Sequence, residues 1–357
     1  MDKQRISRVI GLMQQMHLSQ TLISSPASVF YLTGKWIYPG ERMLAVLLKD
    51  NGEIKLFANR LFALNGTIDI PLVEYDDTED CVALLADTLS SGYVGIDKDW
   101  PSRFTISLIE KRSDIKPIIG SPCVDGARLC KDYNEIDLMR ESSLKNDEAI
   151  QKTISQLRIG MTEKEAAEIY IRESSALGSS RPSFSPLICF GANCSEPHHG
   201  TDSTILKSGD SIILDVGLTW KSYCSDMTRT VFMGKATDEQ KFVYETVRKA
   251  NAAGRAAVRP GVPLHDIDMA ARKVIEDAGY GNYFIHRTGH GIGLEVHEYP
   301  DVSATSDAIA TPGMIFSVEP GIYLPGHFGV RVEDLVVVTE DGCETLNKAP
   351  HELIEII

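Results

Sequence analysis

The sequence predicts two domains, an α/β module followed by a larger α+β domain. The chain has 357 residues, and a chain of more than about 200 residues usually forms more than one domain. Short apolar strands alternate with helical patterns in the first third, whereas longer helices and clustered apolar strands follow. The 43 % hydrophobic and 24 % charged residues are typical of a globular protein with a sizeable core.

The first domain is predicted from alternating helical and strand patterns. The predicted elements are a helix over 2–16, a strand over 21–24, a hairpin over 43–57, a helix over 78–89, a strand over 93–97 and a helix over 101–111. Asn51-Gly52 supplies the positive φ that a tight hairpin turn needs. We expect this domain to cover residues 1–125 and a linker to cover 126–134, because no strong periodicity continues there.

The second domain is predicted over residues 135–357. Its predicted helices cover 134–157, 162–177, 238–258 and 264–278. Thr162 and Glu165 have the spacing of a capping box, which opens the second of these helices. Apolar strands lie between and after the helices, and an antiparallel sheet flanked by helices is an α+β arrangement.

Four carboxylates and one histidine lie in these otherwise apolar, strand-like segments. They are Asp215, Asp226, His290, Glu319 and Glu333. Each ionised carboxylate costs several kcal/mol to bury unless it is paired or bound to a metal. Two divalent cations would balance about four negative charges, and His290 would supply a nitrogen ligand that transition metals accept. Asp215 and Asp226 alone would more often be surface acids at hairpin ends.

The spacing of these residues resembles the metal-site signature of the pita-bread metallopeptidases. Eleven positions separate Asp215 from Asp226, and fourteen separate Glu319 from Glu333. This family includes methionine aminopeptidase, aminopeptidase P and prolidase. The resemblance implies a C-terminal pita-bread (creatinase/aminopeptidase-like) catalytic domain, preceded by a smaller α/β domain like that of creatinase and prolidase.

The resemblance also implies a dinuclear-metal-dependent hydrolase. A hydroxide bridging two divalent ions would attack the carbonyl, His297 would stabilise the oxyanion, and Glu319 would pass the proton to the leaving amine. Manganese or cobalt is expected, and zinc and iron are alternatives. Glu333 shares its predicted strand face with Arg331. Arg331 is therefore expected to orient a ligand carboxylate, the alternative being an ordinary salt bridge.

Three further histidines are candidate catalytic residues. His198 stands seventeen residues before Asp215, where the family places a substrate-contacting histidine, and its neighbour His199 is the main competitor. His297 lies seven residues beyond His290, and His286 precedes the Gly289-His-Gly-Ile-Gly293 motif by three. The spacing of His286 is similar to that of prolidase and aminopeptidase P. His198 and His297 are also expected to bind substrate.

The resemblance favours cleavage before proline, in a small peptide with proline at the second position. Methionine aminopeptidases resemble the catalytic half alone and are the alternative. The segment from Trp36 to Arg42 resembles a prolidase loop that reaches a neighbouring subunit's active site, which implies a homodimer and makes both residues candidate substrate contacts. Gly40 and Asp301 depart from the prolidase pattern. Asp301 stands where archaeal prolidases carry an arginine for the substrate carboxylate, which tilts the prediction toward longer peptides.

Charge and composition exclude other classes. A net charge of −14 argues against nucleic-acid or anionic-membrane partners, which need clustered Lys and Arg. We find no signal peptide and no membrane span in the sequence, so we expect a cytoplasmic protein whose seven cysteines are reduced thiols. A non-peptide C–N hydrolase or lyase, and an inactive binding protein on the same fold, remain as alternatives.

Overall fold

The computed structural model describes residues 2–357 and divides the chain into two units, at the bond between Arg128 and Leu129. A six-stranded sheet in the order β4-β3-β2-β1-β5-β6 forms the centre of the first unit. The elements are α1 Lys3–Gln15, β1 Gln20–Ile23, α2 Pro26–Thr33, β2 Ala45–Lys49, β3 Ile54–Asn59, β4 Leu72–Tyr75, α3 Cys81–Ala86, β5 Gly92–Ile96, α4 Ser102–Lys111, β6 Ile115–Ile119 and α5 Ser121–Leu129. Parallel pairs such as β5/β6 adjoin the predicted β2/β3 hairpin, so the sheet is mixed.

Helix α5 corrects the predicted linker, because residues 126–129 are its last turn. The periodicity of this short helix is weak, but tertiary contacts hold it in place. Cys123 and Val124 are buried, and the hydroxyl of Tyr31 donates a hydrogen bond of 2.8 Å to the carbonyl of Ala127. Such contacts join residues far apart in the sequence and leave no local pattern.

The second unit contains four helices and a four-stranded and a five-stranded sheet among its described elements. These elements are α6 Tyr133–Ile154, α7 Glu163–Ala176, β7 Leu187–Phe190, β8 Ser211–Val216, β9 Thr219–Trp220, β10 Tyr223–Cys224, β11 Met227–Met233, α8 Asp238–Ala257, α9 Leu264–Asp277, β12 Gly289–Gly291, β13 Glu298–Val302, β14 Ile315–Val318, β15 Gly321–Leu324, β16 Phe328–Arg331, β17 Asp334–Val338, β18 Cys343–Thr345 and β19 Glu355–Ile356. The sheets have the orders β19-β11-β8-β7 and β13-β12-β14-β17-β18. The predicted capping box of Thr162 and Glu165 is confirmed at the start of α7.

The antiparallel pair β8/β11 brings Asp215 and Asp226 to the same end of a sheet. Thr228 lies directly opposite Asp215 in this pair. At Gly217 the chain leaves β8, and a Cβ there would lie 2.1 Å from the carbonyl oxygen of Ser225. Only glycine allows the two backbones to approach this closely beside the two acids.

Glu333 lies at a junction between strands rather than inside one. The sequence predicts one strand face for Arg331 and Glu333, but Arg331 ends β16 and Glu333 precedes β17, and these strands belong to different sheets. At the junction the backbone N–H of Glu333 donates to the carbonyl of Thr228 at 3.1 Å. This crossing between sheets brings Glu333 beside the β8/β11 pair.

Glu163, the first residue of α7, anchors the segment that carries His198. Its buried carboxylate accepts hydrogen bonds from the N–H of Phe190 at 2.8 Å, the amide of Asn193 at 2.9 Å and the N–H of Asp202 at 2.9 Å. Burial raises the pKa of this carboxyl. One side chain thus ties together both ends of the loop over 190–202.

Replacing Gly217 with alanine tests the close approach beside the acids. We expect Gly217→Ala to lower the free energy of unfolding by about 1–3 kcal/mol, because the added methyl forces the Ser225 backbone to move. Gly342→Ala is the control, since a Cβ at Gly342 meets nothing within 4 Å. Urea denaturation measures both variants. Equal stabilities of the two variants would contradict the close approach.

Replacing Glu163 with glutamine tests the anchor of the His198 loop. The amide NH₂ of glutamine would then face a donor that hydrogen-bonds to the carboxylate in the wild type. We therefore expect the free energy of unfolding to fall by about 1–3 kcal/mol. Hydrogen exchange over residues 190–202 should accelerate. Glu165→Gln on the same helix is the control, because glutamine also completes a capping box. Unchanged exchange in Glu163→Gln would show that the loop does not depend on this carboxylate.

Candidate metal centre and active site

One cavity of about 700 Å³ in the second unit collects nearly all of the predicted site residues. The predicted ligands on its wall are Asp215, Asp226, His290, Glu319 and Glu333. The other predicted site residues on its wall are His198, His286, His297 and Arg331. The structure therefore brings together residues from six separate segments of the chain.

The ring of His290 is oriented as a ligand would be. Its Nδ1 lies 3.0 Å from the carbonyl oxygen of Gly291, which assigns the proton to Nδ1 and leaves the Nε2 lone pair free. Nε2 faces Glu319 Oε1 at 3.4 Å and Asp226 Oδ2 at 3.7 Å. Burial, and then the neighbouring His297, lower the pKa of His290 to about 3. An unprotonated nitrogen facing carboxylate oxygens is an arrangement that a cation between them would stabilise.

Backbone contacts at two glycines support this geometry. A Cβ at Gly289 would lie 1.9 Å from the carbonyl oxygen of Ser317, and one at Gly291 would lie 2.6 Å from that of Tyr299. The two glycines that flank His290 thus let β12 pack closely against the neighbouring backbone. The hydroxyl of Ser317 accepts from the N–H of His290 at 3.0 Å and donates to Glu319 Oε1 at 3.1 Å. This serine links the backbone of His290 to the carboxylate of Glu319.

The protein supplies too few positive charges to balance the buried carboxylates of the site. Asp226 and Glu333 are 4 % and 2 % exposed. Burial, followed by the neighbouring carboxylates, raises the pKa of each well above its usual range. The Oδ1 atom of Asp226 is buried without a hydrogen-bond partner among residues 2–357. Ligand atoms of Asp226, His290 and Glu333 lie within 4.8 Å of one another, so this donor set fits a transition-metal ion.

Arg331 is a cation at this site, and it orients two of the acids there. Its Nη2 lies 2.6 Å from Asp215 Oδ2. Its Nε donates to the hydroxyl of Thr228 at 3.1 Å, and that hydroxyl donates to Glu333 Oε2 at 2.8 Å. Arg331 therefore acts directly on one predicted ligand and through Thr228 on another. Thr228 was not identified from the sequence, because nothing in the local pattern distinguishes it from the other residues of β11.

A chain of hydrogen bonds connects His286 to the same arginine. His286 Nδ1 lies 2.7 Å from the carbonyl oxygen of Arg287, so Nε2 accepts from the hydroxyl of Tyr323 at 2.8 Å. That hydroxyl in turn accepts from Arg331 at 2.9 Å. Burial lowers the pKa of His286 to about 4. In this series of hydrogen bonds His286 positions Arg331 through Tyr323. Tyr323, like Thr228, was not identified from the sequence. A direct catalytic role of His286 stays a prediction.

The adjacent histidines His198 and His199 point to different surroundings. His198 is exposed on the cavity wall, whereas His199 Nε2 lies 3.6 Å from the anchoring carboxylate of Glu163. His297 is also exposed on the wall, and its ring centroid lies 4.2 Å from that of His290 in an edge-to-face arrangement. The two histidines predicted to contact substrate therefore face the cavity.

Trp36 and Arg42 lie in the first unit. Trp36 stacks on Phe30, with ring centroids 4.7 Å apart and an interplanar angle of 18°. Arg42 makes a forked pair with Asp77, through Nε at 2.9 Å and Nη2 at 2.8 Å. Their predicted contacts with substrate require a neighbouring subunit and stay a prediction.

Two further predictions concern the whole chain. All seven cysteines are free, as expected for reduced thiols. Among residues 2–357, no helix combines the length and the apolar character needed to cross a membrane.

Family models match both units of the chain. Residues 137–340 match the model of metallopeptidase family M24. Residues 5–130 match the model of the creatinase/prolidase N-terminal domain. The match over residues 5–130 covers the first unit and ends two residues past its boundary, and the match over residues 137–340 lies within the second unit.

Individual relatives agree with these models over nearly the whole length. The putative dipeptidase YkvY of Bacillus subtilis is 34 % identical over 360 residues, covering 98 % of this chain and 99 % of YkvY. A dipeptidase from Pyrococcus horikoshii OT3 has a TM-score of 0.93 at 35 % identity, with 99 % of this chain and 100 % of that chain covered. A prolidase from Thermococcus sibiricus has a TM-score of 0.95 at 32 % identity, with 100 % of both chains covered.

These similarities confirm the predicted fold class and the enzyme class. The second unit has the α+β pita-bread fold, and the first is the smaller α/β domain found in creatinase and prolidase. The chain is a hydrolase and belongs to metallopeptidase family M24, with the N-terminal domain of its creatinase and prolidase branch.

Proposed function

We propose that this enzyme uses two divalent cations to cleave the peptide bond before proline in dipeptides or short peptides. The observation that carries the proposal is the Nε2 lone pair of His290 facing the oxygens of Asp226 and Glu319 in a buried site. Cations between these atoms would remove the repulsion and satisfy the unpartnered Asp226 Oδ1. Relatives named dipeptidase and prolidase support the choice of substrate.

Five side chains of this chain would hold the cations. They are Asp215, Asp226, His290, Glu319 and Glu333. Once bound, the cations supply Lewis-acid polarisation of the scissile carbonyl and lower the pKa of water enough for attack at neutral pH. Manganese or cobalt suits these carboxylate and imidazole ligands, as do zinc and iron.

The residues on the cavity wall would handle the substrate. His297 stands beside His290 and would donate a hydrogen bond to the developing oxyanion. His198, which is exposed on the cavity wall, would contact the peptide. Glu319, held by Ser317, would accept the proton of the attacking water and pass it to the leaving amine. Arg331 would keep Asp215 and Glu333 in place throughout.

A cysteine nucleophile does not fit the cavity, because no cysteine among residues 2–357 is one of its lining residues. Cys194 and Cys224 are buried, and burial raises their pKa to about 12 and about 11. Both thiols therefore remain protonated at neutral pH, and the thiolate is the nucleophilic form. This favours attack by water over a covalent route.

The same proposal includes an assembly and a location. A homodimer would allow Trp36 and Arg42 to reach a neighbouring subunit's cavity, as the resemblance to prolidases implies. The cytoplasm is the proposed location. Light scattering of the purified protein tests the dimer, and fractionation of cells expressing the full chain tests the location.

Hydrolysis of three peptides tests the reaction. After reconstitution with manganese or cobalt, we expect cleavage of Ala-Pro or Ala-Pro-Ala before the proline, and no cleavage of Met-Ala-Ser. A chelator should abolish the activity, and His297→Ala should lower kcat about 100-fold by removing an oxyanion donor. Free amino acids are measured by chromatography. Cleavage of Met-Ala-Ser alone would instead indicate a methionine aminopeptidase.

The stability of the metal-free and metal-bound protein tests the charge argument. We expect saturating manganese to raise the free energy of unfolding by about 2.7 kcal/mol at 100 times the dissociation constant. Asp226→Asn should stabilise the metal-free protein, because it removes one of the repelling carboxylates, and should reduce the gain from metal. Glu245→Gln is the control, because this side chain is 43 % exposed, and it should change neither value. If neither manganese nor a chelator changes the free energy of unfolding of the wild type, the repulsion among the carboxylates is not relieved by metal.

A further inference from the structure

A buried ion pair lies behind the turn that carries His297. Lys131 Nζ is 3.1 Å from Glu298 Oε2, and the two side chains are only 3 % and 6 % exposed. Both lie outside the set of residues that line the cavity. Taking two charges out of water is costly, and a pair of well-packed apolar side chains often serves stability equally well. Stability alone therefore does not account for an ion pair at this place.

The carboxylate of Glu298 closes the β12–β13 turn, which covers residues 292–297. Its Oε1 accepts hydrogen bonds from the N–H groups of Leu294 at 2.8 Å and Glu295 at 3.2 Å. Glu298 is itself the first residue of β13. One side chain thus joins the beginning of the turn to its end. His297 is the last residue of this turn, so the carboxylate sets the path of the backbone that carries it.

The third glycine of the Gly289-His-Gly-Ile-Gly293 motif belongs to the same arrangement. A Cβ at Gly293 would lie 2.8 Å from Glu298 Oε2 and 2.9 Å from Oε1. The carboxylate therefore occupies the space that a side chain at position 293 would need. The carbonyl of Gly293 also accepts from the N–H of Cys224 at 2.8 Å, which ties the turn to β10.

Lys131 is held firmly enough to orient the carboxylate. Its backbone N–H donates to the carbonyl of Gly313 at 2.8 Å, and its Nζ also lies 3.4 Å from the carbonyl oxygen of Leu129. A Cβ at Gly313 would lie 2.8 Å from the carbonyl oxygen of Lys131, so the two backbones are in close contact. Two N–H groups engage Oε1 of Glu298 and the ammonium engages Oε2, which fixes the rotation of the carboxylate.

We propose that Lys131 and Glu298 are positioning residues for His297. Lys131 orients the carboxylate of Glu298, and the carboxylate holds the turn in the conformation that directs the imidazole toward the developing oxyanion. The side chain of His297 is exposed on the cavity wall, so the backbone of the turn largely decides where its ring lies. A donor acts on an oxyanion only at hydrogen-bond distance, and a small displacement lowers the rate. This inference rests on the proposed function and deepens it.

Kinetics of the manganese-loaded full-length enzyme test the positioning role, with whichever of Ala-Pro and Ala-Pro-Ala wild type cleaves. Lys131→Met keeps the length of the side chain without its charge. Glu298→Gln keeps an acceptor for the turn but presents an NH₂ group to Lys131. Each variant should lower kcat about 10-fold, part of the loss expected for His297→Ala. KM should stay within about twofold, because the hydrogen bond to the oxyanion forms in the transition state.

The same substitutions in a His297→Ala background separate positioning from a general structural role. If the pair acts through His297, adding Lys131→Met or Glu298→Gln to His297→Ala should lower kcat by no more than about twofold further. Lys273→Met is the matched control, since Lys273 also pairs with an acid, at 2.9 Å, but its side chain is 72 % exposed. It should leave kcat and KM unchanged in both backgrounds.

Hydrogen exchange of the metal-free protein gives a readout that does not depend on activity. Lys131→Met should accelerate exchange at Leu294 and Glu295, whereas residues 190–202 should keep their wild-type rates. The double variant Lys131→Met/Glu298→Gln removes both charges together, so neither is left buried without its partner. It serves where a single variant fails to fold, and it should show the same faster exchange and the same loss of kcat.

The results separate this inference from the proposed function. If wild type cleaves neither peptide with metal bound, the proposed function fails and this inference with it. If wild type is active but Lys131→Met and the double variant keep its kcat and its exchange rates, only the inference is overturned. A full further loss of kcat in the His297→Ala background would also overturn it, because the pair would then act on another part of the site.

Discussion

The rest of the second unit depends on the electrostatic conflict between His290 and its acidic neighbours. An imidazole lone pair faces two carboxylates at 3.4 Å and 3.7 Å, and Asp226 keeps a buried oxygen without a partner. A chain does not maintain such an arrangement without compensation, because buried charge costs several kcal/mol per ion. A metal centre resolves the conflict, and membership of a metallopeptidase family agrees with that solution.

The surrounding scaffold keeps these side chains from relaxing away from one another. Gly217 and Gly289 remove the side chains that would separate neighbouring backbones. Arg331, Thr228 and Ser317 then fix the carboxylates by hydrogen bonds. Each proposed ligand thus stands on a strand or at a strand end, and hydrogen bonds from neighbouring residues hold the side chains of Asp215, Glu319 and Glu333. Ligands held in this way lose little conformational freedom when a metal binds.

The cavity-wall residues outside the proposed ligand set are supported differently. His198 lies on a loop whose two ends meet at Glu163, and Arg287 lies in the segment before β12 and is held by one exposed ion pair. Both side chains have room to adjust. The proposed ligands are therefore held more firmly than these wall residues.

The sequence by itself determined the two-domain order, the long helices and the set of five acidic and histidine residues that line one cavity. These features leave local traces: helical periodicity, a capping box at Thr162, and acids such as Asp215 at the ends of apolar runs. The tertiary structure decided the break of the run 329–338 into two strands, the helix across residues 126–129, the bridges through Thr228 and Tyr323, and the partnership of Asp301 with Arg287. Each of these depends on contacts between segments far apart in the chain. Local sequence patterns report how a segment folds, whereas the identity of its neighbours is settled only when the whole chain packs.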